Sequence, residues 1–413
     1  MRSTSAASKP ALVAGADFAA HAHPGARIEA LMPPPLDVRT ETRPWWRRAL
    51  LAALPFVVGA AVGVGLARVG VPALDAVPPR EALALLAGFL VSLWPHIVLH
   101  EAGHAVAGVM RGMQAIAFGV GPLRAERGGD ARWRWRHGGG IAGIGGFAAL
   151  LPRAERGHSP LDQAVFLLGG PAANLATAAI FAAVATWAPL SALPAAACTG
   201  IALAAALLGL GNLVPLHRQG WRSDGRGLLD LVRGTPDAAL QVQINQLVAL
   251  GLAGVRPRDW PEASMPAMDE AVASSGLQSS GRMLRLSRAV DRRDAEAAWP
   301  DALALTAGFA AAPAVVQGAI AVSLASHAAL LVRDRALVSA WRLHCHGGLM
   351  DLSPYRAWLD AEIAGLDGDT TAVATHVGHA RALADRIPDT ASRRVFDERL
   401  DALLEHGSTD GMP

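Results

Sequence analysis

Between Gln163 and Leu216 the chain carries no Asp, Glu, Lys or Arg. A helix rising ~1.5 Å per residue needs about 20 apolar residues to cross a ~30 Å hydrocarbon core, so this stretch is long enough for two spans. Trp187, Pro189, Ser191 and Pro194 mark the turn between them. Two more apolar runs precede it, from Ala49 to about Leu66 and from Glu81 to Met110. The chain therefore reads as mainly α, a polytopic membrane helical bundle of about four spans. Its composition, 52% hydrophobic and 17% charged over 413 residues, is too apolar for an ordinary soluble protein.

A formal net charge of +2 gives no argument for nucleic acid, and the long apolar runs make a lipid bilayer the expected surroundings. Lys9 is the only lysine, and the placement of the arginines carries the topology. Eight arginines fall in residues 111 to 161, against two in 67 to 80 and none in the 187 to 194 turn. The positive-inside rule makes the arginine-rich loop cytoplasmic, and Arg43, Arg47 and Arg48 put the N-terminus on the same side. Four spans then return the chain to the cytoplasm at His217 and Arg218. The expected location is the cell membrane, with both termini cytoplasmic.

Residues 1–44 are rich in Ala and Pro without an apolar period, and read as a disordered cytoplasmic tail. Residues 45–234 form the membrane-embedded part. Within it, Ala131-Arg132-Trp133-Arg134-Trp135-Arg136 alternates with period two, which predicts a small interfacial β segment with tryptophans on one face. Six glycines between Gly138 and Gly146 suggest close backbone approach or a re-entrant turn. Residues 235–413 read as a C-terminal soluble all-α domain. Weak similarity between 318–346 and 350–385 hints at tetratricopeptide-like hairpins, without the signature spacing, and offers a surface for a protein partner. The uncharged stretch from Ala302 to Val332 has the length of a span, but Gly308, Pro313, Gln317, Gly318 and His327 favour soluble helices. Cys198 and Cys345 lack zinc or redox spacing.

Within the second span lies His100-Glu101-Ala102-Gly103-His104. On a helix, HExxH puts two imidazoles one turn apart on one face, where a single zinc ion can bridge them. Glu101 beside them can take a proton from water and pass it to a departing amine. Two histidines and a glutamate are costly inside a membrane helix, which marks them as functional. His96, one turn earlier, is expected to line the site rather than ligate, since four protein ligands would close it. His137, His158 and His217 have no partner spacing and read as interfacial polar residues.

These residues, with Gly170-Pro171-Ala172-Ala173-Asn174, Asn212-Leu213-Val214-Pro215 and Asp224-Gly225, resemble the site-2 protease family of intramembrane zinc metalloproteases over roughly residues 80 to 235. The resemblance implies one Zn2+ per chain held by His100, His104 and Asp224, with Glu101 catalytic. It implies hydrolysis of membrane-anchored protein substrates, within regulated intramembrane proteolysis. Asn174 would contact the substrate backbone or the oxyanion, or else tie two membrane helices together. The interval from Asn212 to Asp224 is longer than the family's, as though His217 to Gly220 were inserted, which leaves Asp230 as a competing ligand. Two other readings stay open: a prenyl-protein-processing zincin, disfavoured because no glutamate lies in the later spans, and an inactive metal-binding scaffold or transporter.

Overall fold

The computed structural model describes residues 28–35, 78–121, 123–128, 130–137, 146–153, 158–218, 221–268, 274–348 and 350–409. The expected span from Ala49 to Leu66 and most of the glycine-rich segment lie outside these residues. The fold is mainly helical with a small antiparallel sheet, and divides into two compact units.

One unit takes residues 35–104 and 168–214. It holds most of α1 (Pro79–Met110) and α2 (Pro160–Trp187), and all of α3 (Ala192–Leu213). All three helices are long and apolar enough to cross a membrane, and their apolar windows are only 11%, 22% and 28% buried within the protein. Leu83, Val91, Trp94 and Leu207 stand exposed, a surface suited to lipid rather than water. Small residues let the helices approach closely. A Cβ on Gly103 would sit 2.3 Å from Gly169 O, and one on Gly200 would sit 2.0 Å from Leu85 O, so α1 meets α2 and α3 nearly backbone to backbone.

The second unit takes residues 1–34, 105–167 and 215–413. Its four-stranded sheet comprises β1 (Gln114–Val120), β2 (Leu123–Arg127), β3 (Trp133–His137) and β4 (Gly146–Leu151) in the order β3-β2-β1-β4, all antiparallel. β3 is the arginine–tryptophan alternation, and it lies at an edge with Trp133 and Trp135 exposed. Arg134 pairs with Asp130 at 2.9 Å. Just beyond α1, Arg111 pairs with Asp162 in the first turn of α2 at 2.6 Å.

The short strands β5 (His217–Arg218) and β6 (Trp221–Arg222) lead into α4 (Asp224–Arg233) and α5 (Pro236–Leu252). There follow α6 (Ser275–Arg292), α7 (Ala295–Gly308), α8 (Ala314–His327) with a π turn at Ala328–Val332, α9 (Arg335–Arg342), α10 (Ser353–Leu366), α11 (Thr370–Leu383) and α12 (Thr390–Thr409). Asp294, Asp334 and Asp369 cap α7, α9 and α11 by accepting backbone N–H groups of the first turn. Helices α6 and α7, α8 and α9, and α10 and α11 pack as consecutive pairs over a core containing Leu286, Leu324, Trp341, Trp358 and Phe396. The helical stretch Ala314–Val332 has the length and hydropathy of a span, but 56% of its window is buried among these helices.

Part of the N-terminal tail is ordered. Ile28–Ala30 forms a helical turn, and Leu31 is 1% exposed within the C-terminal core. Trp341 donates its Nε1–H to Leu31 O at 2.8 Å. Composition hid this because a single apolar side chain and one carbonyl suffice to anchor the segment.

Candidate metal centre

Helix α1 presents His100, Glu101 and His104, all buried, from a largely apolar sequence. The two histidines, one turn apart, bring their Nε2 atoms to 3.1 Å with rings nearly edge-on. A tetrahedral zinc with bonds of ~2.0–2.1 Å holds two ligand nitrogens roughly 3.3 Å apart, so this pair fits one shared ion. Gly170 of α2 leaves the room: a Cβ there would lie 2.4 Å from His104 Nε2 and 2.7 Å from His100 Nε2.

Two amides flank the same imidazole. Asn174, fully buried on α2, places Nδ2 3.2 Å from His100 Nδ1, and Asn212 on α3 places Nδ2 2.9 Å from His100 Nε2. Asn174 Oδ1 is buried without a hydrogen-bond partner. Turning the amide over would let that oxygen accept His100 Nδ1–H, the tautomer that leaves the Nε2 lone pair free for a metal. His96 donates its Nδ1–H to Ser92 O at 2.7 Å within its own helix.

In the other unit, Asp224 is half-buried at the start of α4. Of the residues read as an insertion, His217 and Arg218 form β5 and pair with β6, His217 to Arg222 and Arg218 to Trp221. It closes on itself: Ser223 N–H donates to Leu216 O and Leu216 N–H donates to Ser223 Oγ, both at 3.0 Å. Ser223 Oγ also accepts from Arg226 N–H, capping α4. These bonds hold Leu216 and Ser223 together on either side of the hairpin, immediately before Asp224.

Asp230 is fully buried and held by Arg226 at 2.9 Å and Arg222 at 3.1 Å. From Arg222 a hydrogen-bonded chain runs through Gln241 (3.2 Å), Asn245 (3.0 Å) and Gln163 (3.0 Å) to His158 (3.0 Å). His158, read as an interfacial residue without a partner, is instead buried in this network. No motif announces the network. Its only sequence signal is the i,i+4 pair Gln241 and Asn245 on one face of α5. His217, Asp230 and Asp237 also bring potential ligand atoms within 4.8 Å of one another, but arginine cations already engage both oxygens of Asp230.

Residues 88–249 match the model of peptidase family M50, the site-2 protease family. No curated protein and no solved structure matches the chain. The matched segment contains every site residue named from the sequence. That family is one of zinc-dependent intramembrane metallopeptidases, and the match covers 162 of the chain's 413 residues.

Proposed function

Proceeding from that family match over residues 88–249, we propose that the protein hydrolyses peptide bonds of membrane-anchored protein substrates at one zinc ion held by His100, His104 and Asp224. The convergence of the two Nε2 atoms at 3.1 Å beside Glu101, in an apolar helix, carries this reading. Zinc, when bound, supplies a Lewis acid for the scissile carbonyl and for water. Glu101 accepts the proton from water and delivers it to the leaving amine. Asn174 orients the His100 ring. Against Asp230 as the third ligand stand its ion pairs with Arg222 and Arg226, which engage both of its carboxylate oxygens.

A transmembrane substrate helix has its backbone fully hydrogen-bonded and must unwind before attack. An edge of the four-stranded sheet, β3 or β4, offers N–H and C=O groups to hold the unwound segment extended. The physiological setting is regulated intramembrane proteolysis at the cell membrane.

Both termini are assigned to the cytoplasm. Leu31 and Trp341 touch, so the segments that carry them share one side of the membrane. With α1, α2 and α3 spanning, that requires an odd number of spans between Pro35 and Pro78, as Ala49 to Leu66 supplies. Ala314–Val332 is then a core helix of the cytoplasmic domain, and a cytoplasm-dependent reporter fused after Pro413 is active.

The deciding experiment measures bound zinc and cleavage of a model membrane substrate in wild type and Glu101→Gln. The variant keeps stoichiometric zinc and loses hydrolysis by a factor of ~10²–10⁴, since the amide cannot accept the proton. Near-wild-type turnover in Glu101→Gln would overturn the assignment.

A further inference from the structure

Three arginines of the C-terminal helices, Arg293, Arg333 and Arg399, line one cavity of about 240 Å³. None has a carboxylate within ion-pair distance among the described residues, and Glu362 is the only acidic residue in the lining. Arg399, on α12, lies with its guanidinium carbon 4.9 Å from the centroid of the Trp358 ring on α10. Trp358 Nε1–H in turn donates to Glu362 Oε1 at 2.9 Å. Burial pushes the Glu362 carboxyl up, while Arg399, the Trp358 N–H, Arg333 and Arg293 act in the opposite direction. Asp291 also approaches Arg399, but both its oxygens are occupied by Arg256, at 2.7 and 3.2 Å.

The backbone at the mouth of the cavity is unusual. Arg293 and Arg333 are exposed and adopt φ of 60° and 56°, left-handed conformations at helix ends where glycine is the ordinary occupant. A side chain at such a position crowds the following carbonyl oxygen, so each is a strained placement for a residue other than glycine. Arg293 reaches across to donate to Leu330 O, in the π turn, at 2.9 Å. Two helix ends thus accept strain and present a guanidinium to the same cavity. Strained backbone of this kind concentrates at ligand sites, as do single π turns.

We infer that this cavity binds a small dianion, a phosphate monoester or a dicarboxylate, between Arg399 on its floor and Arg293 and Arg333 at its mouth. Leu330, Leu366 and Leu403 furnish an apolar wall for a short carbon body. The volume of about 240 Å³ falls below the ~300–1,000 Å³ typical of drug-sized ligands, which favours a small metabolite over a nucleotide or peptide. Guanidinium groups suit both oxyacids through paired N–H donors.

The test is calorimetric titration of the full-length, detergent-solubilised protein with inorganic phosphate and with succinate, at constant ionic strength set by sodium chloride. Saturable binding of either anion is expected, and the stronger of the two identifies the oxyacid. Arg333→Gly and Arg399→Gln each weaken it by roughly tenfold or more, the effect of one lost charged hydrogen bond. Arg333→Gly also relieves the left-handed backbone, so its unfolding temperature holds or rises while binding falls, which separates loss of the site from loss of the fold. Arg258→Gln, outside the cavity, leaves binding unchanged. If Arg399→Gln does not fold, Arg333→Gly decides alone. Absence of saturable binding in wild type, or undiminished binding in Arg333→Gly, overturns the inference.

Discussion

Asn174 on α2 meets the Nδ1 atom of His100 on α1 at 3.2 Å, behind the nitrogen that faces His104. A partner on the far side of a ligating imidazole fixes its tautomer and its angle. Asn174→Leu, close in size but unable to hydrogen-bond, is expected to lower zinc affinity by ~10–100-fold while leaving one zinc per chain at saturation. Competition against a chelator reads the affinity directly. An unchanged constant would reduce Asn174 to a tie between helices.

Gly170 gives a sharper steric test. Alanine is ordinarily better than glycine in a helix interior by ~1 kcal/mol, so Gly170→Ala should not weaken α2 as a helix. Its new methyl would nonetheless stand 2.4 Å from His104 Nε2. The expected result is a folded protein with little bound zinc and no cleavage, read by metal analysis beside thermal unfolding. Full zinc occupancy would show that the two nitrogens need not converge at this point.

The two aspartates of α4 are expected to fail in different ways. Asp224→Asn removes a proposed ligand at the start of α4, so zinc and activity are lost while the metal-free protein loses less stability than Asp230→Asn does. Asp230→Asn leaves the guanidinium of Arg222, 13% exposed, without its carboxylate. Breaking a buried pair on one side costs about 3–5 kcal/mol. Unfolding measured on both metal-free variants distinguishes them, and equal stability would mean that the arginine network does not hold α4.

Acid should act on the C-terminal helices through Asp291. Burial alone would raise its pKa, but hydrogen bonds from Arg256 and from the Arg258 N–H outweigh it and hold the carboxyl below its ordinary value. A depressed folded pKa contributes stability that is present above the unfolded value of ~3.9 and is lost as pH falls through the folded value. Asp291→Asn should therefore lower stability at neutral pH and flatten the acid limb of the stability curve. Hydrogen exchange of α6 and α12 between neutral and acid pH measures both, and a parallel displacement of the two curves would contradict the linkage.

The parts of this molecule that obey a period or a motif were legible from the residues. Lipid-facing helices announce themselves by length without charge, and α1, α2 and α3 begin and end within about three residues of the expected bounds. HExxH places His100 and His104 because helical geometry leaves no freedom over one turn. Gln163, Gln241, Asn245 and His158 were not legible as a group, since their contacts depend on how separate helices meet. The β5–β6 hairpin was visible only as an excess of residues, because closure at Leu216 and Ser223 is a backbone event that no side chain advertises. Leu31 escaped notice for the opposite reason: one leucine in a proline- and alanine-rich tail carries no pattern.

That leucine bears on the order in which the chain is made. The carbonyl of Leu31 and the indole of Trp341 are 310 residues apart, so the earlier partner emerges from the ribosome long before the later one exists. The long apolar helices α1, α2 and α3 are made in between, and the C-terminal core lacks the Leu31 side chain until the earlier segment returns to fill its place. Contacts of such long range are slow to form. Completion of the C-terminal core thus reports that the segment carrying Leu31 and the chain's last third have ended up in the same compartment.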